Sequence, residues 1–210
     1  MLYYVLKPIA KLWIQLKFRI EIIGRENIPE DKTIIIAANH VSNYDPILLC
    51  CLLKRKIYFL AKAELFRNRL LHWFFTSVHT IPVDRKSGVV IRPVRKALEV
   101  INNGEVFGIF PEGKRCKNRE IVQPKKGVAF LAYHTKTPVL PVSIIGVKKG
   151  FRTPVKIVIG SQIPVTSFDD SDYSFLSTTI MDRIRELGKR NSMHPVENTV
   201  NVPSSYVKNP

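Results

Sequence analysis

The hydrophobic positions of this chain fall into short runs whose period changes along its length. Between residues 2 and 20, Leu2, Val5, Leu6, Ile9, Leu12, Trp13, Leu16 and Ile20 recur at three- and four-residue steps. That is the stripe of an amphipathic helix. Lys7, Lys11, Gln15 and Arg19 recur every fourth residue on the opposite side. Beyond Gly24 the signals alternate. Ile34–Ala38 is an unbroken apolar run rich in β-branched residues, which suits a strand buried on both faces. Ile57–Ala61, Thr80–Val83, Val106–Phe110, Val139–Ile145 and Val155–Ile159 read as further strands. Helical patterns lie between and after them, at Pro46–Leu53, Leu65–Ser77, Ile91–Asn102, Lys125–Lys136 and Tyr173–Lys189. Asn103-Gly104 is a suitable stop for the third of these.

Alternation at this spacing predicts one α/β domain with a largely parallel or mixed sheet flanked by helices. Its expected extent is residues 25–190, after an N-terminal amphipathic segment, 1–24, and before a loosely ordered tail, 191–210. A length of 210 residues, 45% of them hydrophobic, supports one sizeable core and argues against global disorder.

Charge narrows the partners. With 33 Lys and Arg against 17 Asp and Glu, the formal net charge is +16. The excess points to an anionic membrane surface, a phosphorylated substrate, an acidic carrier protein or nucleic acid. The aromatic-and-basic motifs of common RNA modules are missing, so nucleic acid is not the expected partner. Cys50, Cys51 and Cys116 form no C-x-x-C pair, which predicts neither disulfides nor a cysteine-built metal site. No apolar run approaches the roughly 18 residues that span a bilayer. The basic N-terminal helix, with Trp13 on its apolar side, fits the plane of a membrane interface. It fits equally a helix that covers its own domain's core.

Candidate chemistry collects where strands end, the edge at which open α/β sheets hold ligands. His40 and Asp45 follow the first buried strand, with Asp45 as expected N-cap and Pro46 as first helical residue. On a loop leading into a helix the two can meet, the carboxylate orienting an imidazole that acts as general base. An ordinary helix start would explain the same residues. Arg85 follows Thr80–Val83, either as a phosphate-binding fork or as a surface partner of Asp84. Glu112, Gly113 and Arg115 follow Phe110-Pro111, in a stretch that also reads as a plain β-turn. Lys62 ends another strand, as a further cation or a solvated residue. No zinc-protease, phosphate-loop or nucleophile-elbow motif occurs.

Together, Asn39-His40-x4-Asp45, Ile81-Pro82-Val83-Asp84-Arg85, Phe110-Pro111-Glu112-Gly113-x-Arg115 and Leu140-Pro141-Val142 resemble the four ordered motif blocks of glycerolipid acyltransferases. The bacterial 1-acyl-glycerol-3-phosphate acyltransferases are particularly similar. The resemblance covers about residues 30 to 165, and four blocks in order are far more specific than one. It implies transfer of an acyl group from an acyl-carrier-protein or coenzyme A thioester to the sn-2 hydroxyl of lysophosphatidic acid. The thioester is a co-substrate, and neither a resident cofactor nor a metal is expected. It further implies His40 as base, Asp45 as its holder, and Lys62, Arg85, Glu112, Gly113 and Arg115 as acceptor-binding residues. The implied location is peripheral, on the cytoplasmic face of the cell membrane. Lys114 and Cys116 depart from the Thr or Ser and the Ser common at those positions. Another acceptor, such as glycerol 3-phosphate or a lyso-amino-lipid, and a non-catalytic basic protein are the alternatives.

Overall fold

The structure is a computed structural model that describes residues 2–84, 91–116, 120–147, 150–165 and 172–192. Helix α1 (Leu2–Lys17) leads into strand β1 (Phe18–Ile23). Then come β2 (Ile35–Ala38), α2 (Asp45–Leu52), β3 (Ile57–Lys62), α3 (Arg69–Ser77) and β4 (Thr80–Val83). The second half comprises α4 (Ile91–Asn102), β5 (Val106–Ile109), α5 (Gly127–Thr135), β6 (Val139–Ile145), β7 (Thr153–Ile159) and α6 (Tyr173–Ser192). Among the described residues the strands form one seven-stranded sheet, ordered β1-β7-β6-β2-β5-β3-β4. Strands β2 to β6 run parallel, whereas β7 is antiparallel to β6 and β1 parallel to β7. The sheet is therefore mixed.

β2 sits between β5 and β6, and its side chains divide by the two-residue period of a strand. Ile34, Ile36 and Ala38 pack with Ile14, Phe18, Leu48 and Leu49 on the face carrying α1 and α2. Ile35 and Ala37 pack with residues of α4, α5 and α6 on the other. A strand covered on both sides has no polar position to spare, hence its uniformly apolar sequence.

Several boundaries differ from expectation. The N-terminal helix stops at Lys17, and Phe18–Ile23 is an edge strand rather than helix. Phe18, Ile20 and Ile22 alternate with Arg19 and Glu21 and pack on the core, a period of two hidden inside a helical stripe. The Leu65–Ser77 segment splits into a 3₁₀ turn at Ala63–Phe66 and α3, because Asn68 Oδ1 accepts the Leu71 N–H at 2.7 Å and caps a new helix. Asp45 is the first residue of α2 rather than its N-cap, which is Tyr44. Asn191 and Ser192 belong to α6, and residues 193–210 of the expected tail lie outside the described residues.

α1 meets the protein by an unexpected side. Tyr3 and Ile14 are buried, and Lys7 Nζ donates to the carbonyls of Leu53 (2.6 Å), Lys54 (2.8 Å) and Arg55 (3.1 Å) just past the end of α2. Of the stripe drawn from the sequence, Val5, Ile9, Leu12, Trp13 and Leu16 are exposed, while Leu2, Leu6 and Ile20 are half-buried. The helix thus docks by a narrow mixed seam and leaves its apolar face open. No helix among the described residues is long and apolar enough to cross a membrane.

The turn after β1 depends on Gly24, whose φ is +79° and whose added Cβ would stand 2.1 Å from the Ile159 carbonyl oxygen. Gly24→Ala is expected to cost about 2 kcal/mol or more. A lower urea midpoint at unchanged m would register it.

Candidate active site

The site begins with the way β2 ends. Asn39 extends the pairing by side chain: its Nδ2 donates to the Ile144 carbonyl at 2.9 Å, and its Oδ1 accepts the Ile144 N–H at 2.7 Å. The next residue, His40, is thereby held at the rim where the parallel strands terminate. Asp45 is 0% exposed, and its Oδ2 accepts from His40 Nδ1 (2.8 Å) and from the main-chain N–H groups of Val41 and Ser42 (both 2.7 Å). Oδ2 already takes two N–H donors, so Nδ1 is the donor in the ring contact and the Nε2 lone pair is left free. The His40 ring stacks on Phe110, centroids 4.2 Å apart at 18°, and keeps 16% of its side chain exposed. An imidazole so oriented, with one nitrogen fixed and the other open, can take a proton from a hydroxyl.

The loop after β5 grips the same residue through its backbone. Glu112 Oε2 accepts the His40 N–H at 2.7 Å, and the Cys116 N–H donates to the His40 carbonyl at 2.8 Å. The loop is the turn foreseen from Pro111 and Gly113, closed by the Gly113 N–H on the Phe110 carbonyl at 3.0 Å. Gly113 has φ +68°, and a Cβ there would press on Lys125 Cγ at 3.2 Å. Glu112 is only 5% exposed, so its carboxylate faces the protein. Burial pushes its carboxyl up to about 7; the nearby Asp45 adds to this, while the His40 N–H and Arg185 oppose it.

The predicted cations gather in part. Lys62 is exposed at the end of β3, level with Val83 at the end of β4. Arg115 is exposed beside the loop that holds His40. Asp84 is exposed at the same rim, and Arg85 lies outside the described residues. Lys114 pairs with Glu120 at 2.6 Å. Among the described residues no group of three His, Cys, Asp or Glu could hold a metal ion. Sequence reasoning passed over Asn39, Phe110 and the Cys116 main chain as positioning elements. Each adjoins a residue already singled out, and adjacency was the available signal.

Comparison with known proteins fits this geometry. The Acyltransferase family model matches residues 19–145. The chain belongs to the acyltransferase family. A 1-acyl-sn-glycerol-3-phosphate acyltransferase of Bacillus subtilis is 28% identical over 84% of this chain and 92% of its own length. One of Borreliella burgdorferi is 32% identical over 82% of this chain and 72% of its own. The crystal structure of the 1-acyl-sn-glycerophosphate (LPA) acyltransferase PlsC from Thermotoga maritima superposes with a TM-score of 0.72 at 27% identity. That match covers 90% of this chain and 78% of the other. The protein is an acyltransferase enzyme with the α/β architecture of that structure.

Titration of Glu112 gives this acyltransferase a pH signature. A carboxyl whose folded value lies above the ordinary 4.5 stabilises the fold in its protonated form. That contribution is complete below about 4.5 and is lost as pH rises through about 7. Glu112→Gln keeps an acceptor for the His40 N–H without the titration. Melting scans are expected to show the parent losing stability relative to the variant across that window.

Proposed function

We propose that this acyltransferase moves a fatty acyl group from an acyl-carrier-protein or coenzyme A thioester to the sn-2 hydroxyl of 1-acyl-glycerol 3-phosphate, giving phosphatidic acid. The observation that carries the reading is the 2.8 Å contact between His40 Nδ1 and Asp45 Oδ2 at the rim of the sheet. The acceptor follows from the named relatives and from the cations expected at the same rim.

In this reading the acceptor oxygen attacks the thioester carbonyl carbon as His40 Nε2 takes its proton. Asp45 holds the ring and offsets the charge of the imidazolium. The carbon–sulfur bond breaks as the tetrahedral adduct collapses, and the departing sulfur takes up the proton. No covalent enzyme intermediate is needed. Arg115, Lys62 and Arg85 grip the acceptor phosphate, and Gly113 lets the main chain approach it closely. Glu112 acts on the acceptor through His40, by fixing the main chain of the base. Both substrates carry long apolar chains. The exposed stripe of Val5, Ile9, Leu12, Trp13 and Leu16 on α1, with no carboxylate on that helix, suits the surface of an anionic membrane. The enzyme then works as a peripheral membrane protein at the cytoplasmic face.

Purified protein supplied with lysophosphatidic acid and each thioester in turn tests the reaction, scored as phosphatidic acid formed. His40→Ala is expected to lower kcat by about 10²–10⁴-fold, and near-parental turnover would remove its assigned role. Arg115→Ala is expected to raise the KM for the phosphorylated acceptor and leave that for the thioester little changed. The reverse pattern would place Arg115 on the donor side.

A further inference from the structure

The second exposed apolar helix is α3. It contains Leu70, Leu71, Trp73, Phe74 and Phe75, yet none of its residues is buried. Leu70 is 73% and Trp73 57% exposed, and Leu65 and Phe74 extend the apolar surface. A shallow groove of about 590 Å³ runs along it, lined by Phe66, Arg67, Arg69, His72 and Trp73 among others. Scattered apolar residues on a surface are ordinary, but this many on one short helix call for a partner.

Placement and charge identify that partner. The connections β2–α2–β3 and β3–α3–β4 both step toward the β4 edge. Right-handed crossovers therefore set α2 and α3 on one face of the sheet. α1 lies on that face too, packed on α2. Its first turn reaches the far end of α3: the Tyr3 ring stands 5.1 Å from His79, two residues beyond Ser77. The last turn of α1 reaches the rim, where Trp13 meets Tyr44 at 5.5 Å, close to the His40 loop. α3 starts from the same rim, soon after Lys62. The two helices thus run in opposite directions with the mouth of the site at one shared end. Neither contains a carboxylate, although Glu64 stands in the turn before α3, while Lys11, Lys17, Arg67 and Arg69 lie on or beside them. An apolar interior beneath an anionic surface is the matching chemistry, and a phospholipid layer has both.

We propose that α3 is a second lipid-contacting element, so that the enzyme meets the membrane through two apolar helices on either side of the site's mouth. This rests on the reading of α1 as membrane-bound. Lys62 and Arg115, at the rim between them, would lie at headgroup depth, and a lysolipid could reach His40 without leaving the interface.

The two tryptophans of the chain, Trp13 and Trp73, allow each helix to be read separately. The full-length variants Trp13→Phe and Trp73→Phe each retain one indole. Each is titrated with vesicles of phosphatidylcholine and phosphatidylglycerol, some carrying brominated acyl chains. Both indoles are expected to shift to the blue and to be quenched by bromine. A shift at Trp13 with none at Trp73 overturns this inference and leaves α1 docking intact. No shift at either overturns both. A Trp73 shift that follows protein concentration without vesicles assigns the face to a second copy. A shift that requires acyl carrier protein assigns it to an acidic protein. Either result overturns the proposal. Leu70→Glu, at an exposed position, is expected to weaken vesicle binding about tenfold or more while activity on detergent-dispersed acceptor is unchanged. Unaltered vesicle binding in that variant also overturns it.

Discussion

A carboxylate sealed from water must find its donors inside the protein, and Asp45 finds three on one oxygen. Burial of an ionised group without compensation costs several kcal/mol, far more than a loop of this length can offset otherwise. The chain from His40 to Ser42 therefore curls around Oδ2, and the imidazole is the third donor in that curl. The orientation of the proposed base is thus a by-product of satisfying a buried charge. The other oxygen, Oδ1, is buried without a hydrogen-bond partner among the described residues. The Asp45 carboxylate also adds to the burial that raises the Glu112 carboxyl.

Secondary structure supplies the rest of the rigidity. β2 is clasped by β5 and β6, and the residues at the ends of β2 and β5 fix His40 and its neighbour. Asn39 ties the end of β2 to β6, while Glu112 and Cys116, beyond β5, take the N–H and carbonyl of His40. A histidine held by ring, amide and carbonyl at once has little freedom left to lose. The exposed cations differ in kind. Lys62 and Arg115 stand at the rim in contact with water.

Much of this arrangement was legible in the chain. The fully apolar Ile34–Ala38 run suited a doubly covered strand and became one over Ile35–Ala38, and the Phe110-Pro111-Glu112-Gly113 turn formed where Pro and Gly favour it. Phe18–Ile23 was misread because its two-residue period overlaps the three- and four-residue steps of the helix before it, and Ile20 satisfies both. The face on which α1 docks was hidden for a related reason. Periodicity locates an apolar stripe but not what it faces, and here Lys7 found carbonyls on the protein while Leu12 and Trp13 were left outside. The inward turn of Glu112 was equally invisible, since the partner that holds it lies far away in the chain and belongs to the backbone.

The parallel pairing of β1 with β7 at one edge of the sheet carries a consequence for how the molecule comes into being. Phe18 lies opposite Thr153, and Ile23 opposite Val158, so the strand behind α1 has no ladder to join until most of the polypeptide has left the ribosome. For most of synthesis the partners available to the first helix are those of α2 and the carbonyls of Leu53, Lys54 and Arg55. With its apolar stripe exposed, α1 is free to meet other surfaces before the sheet closes around β1.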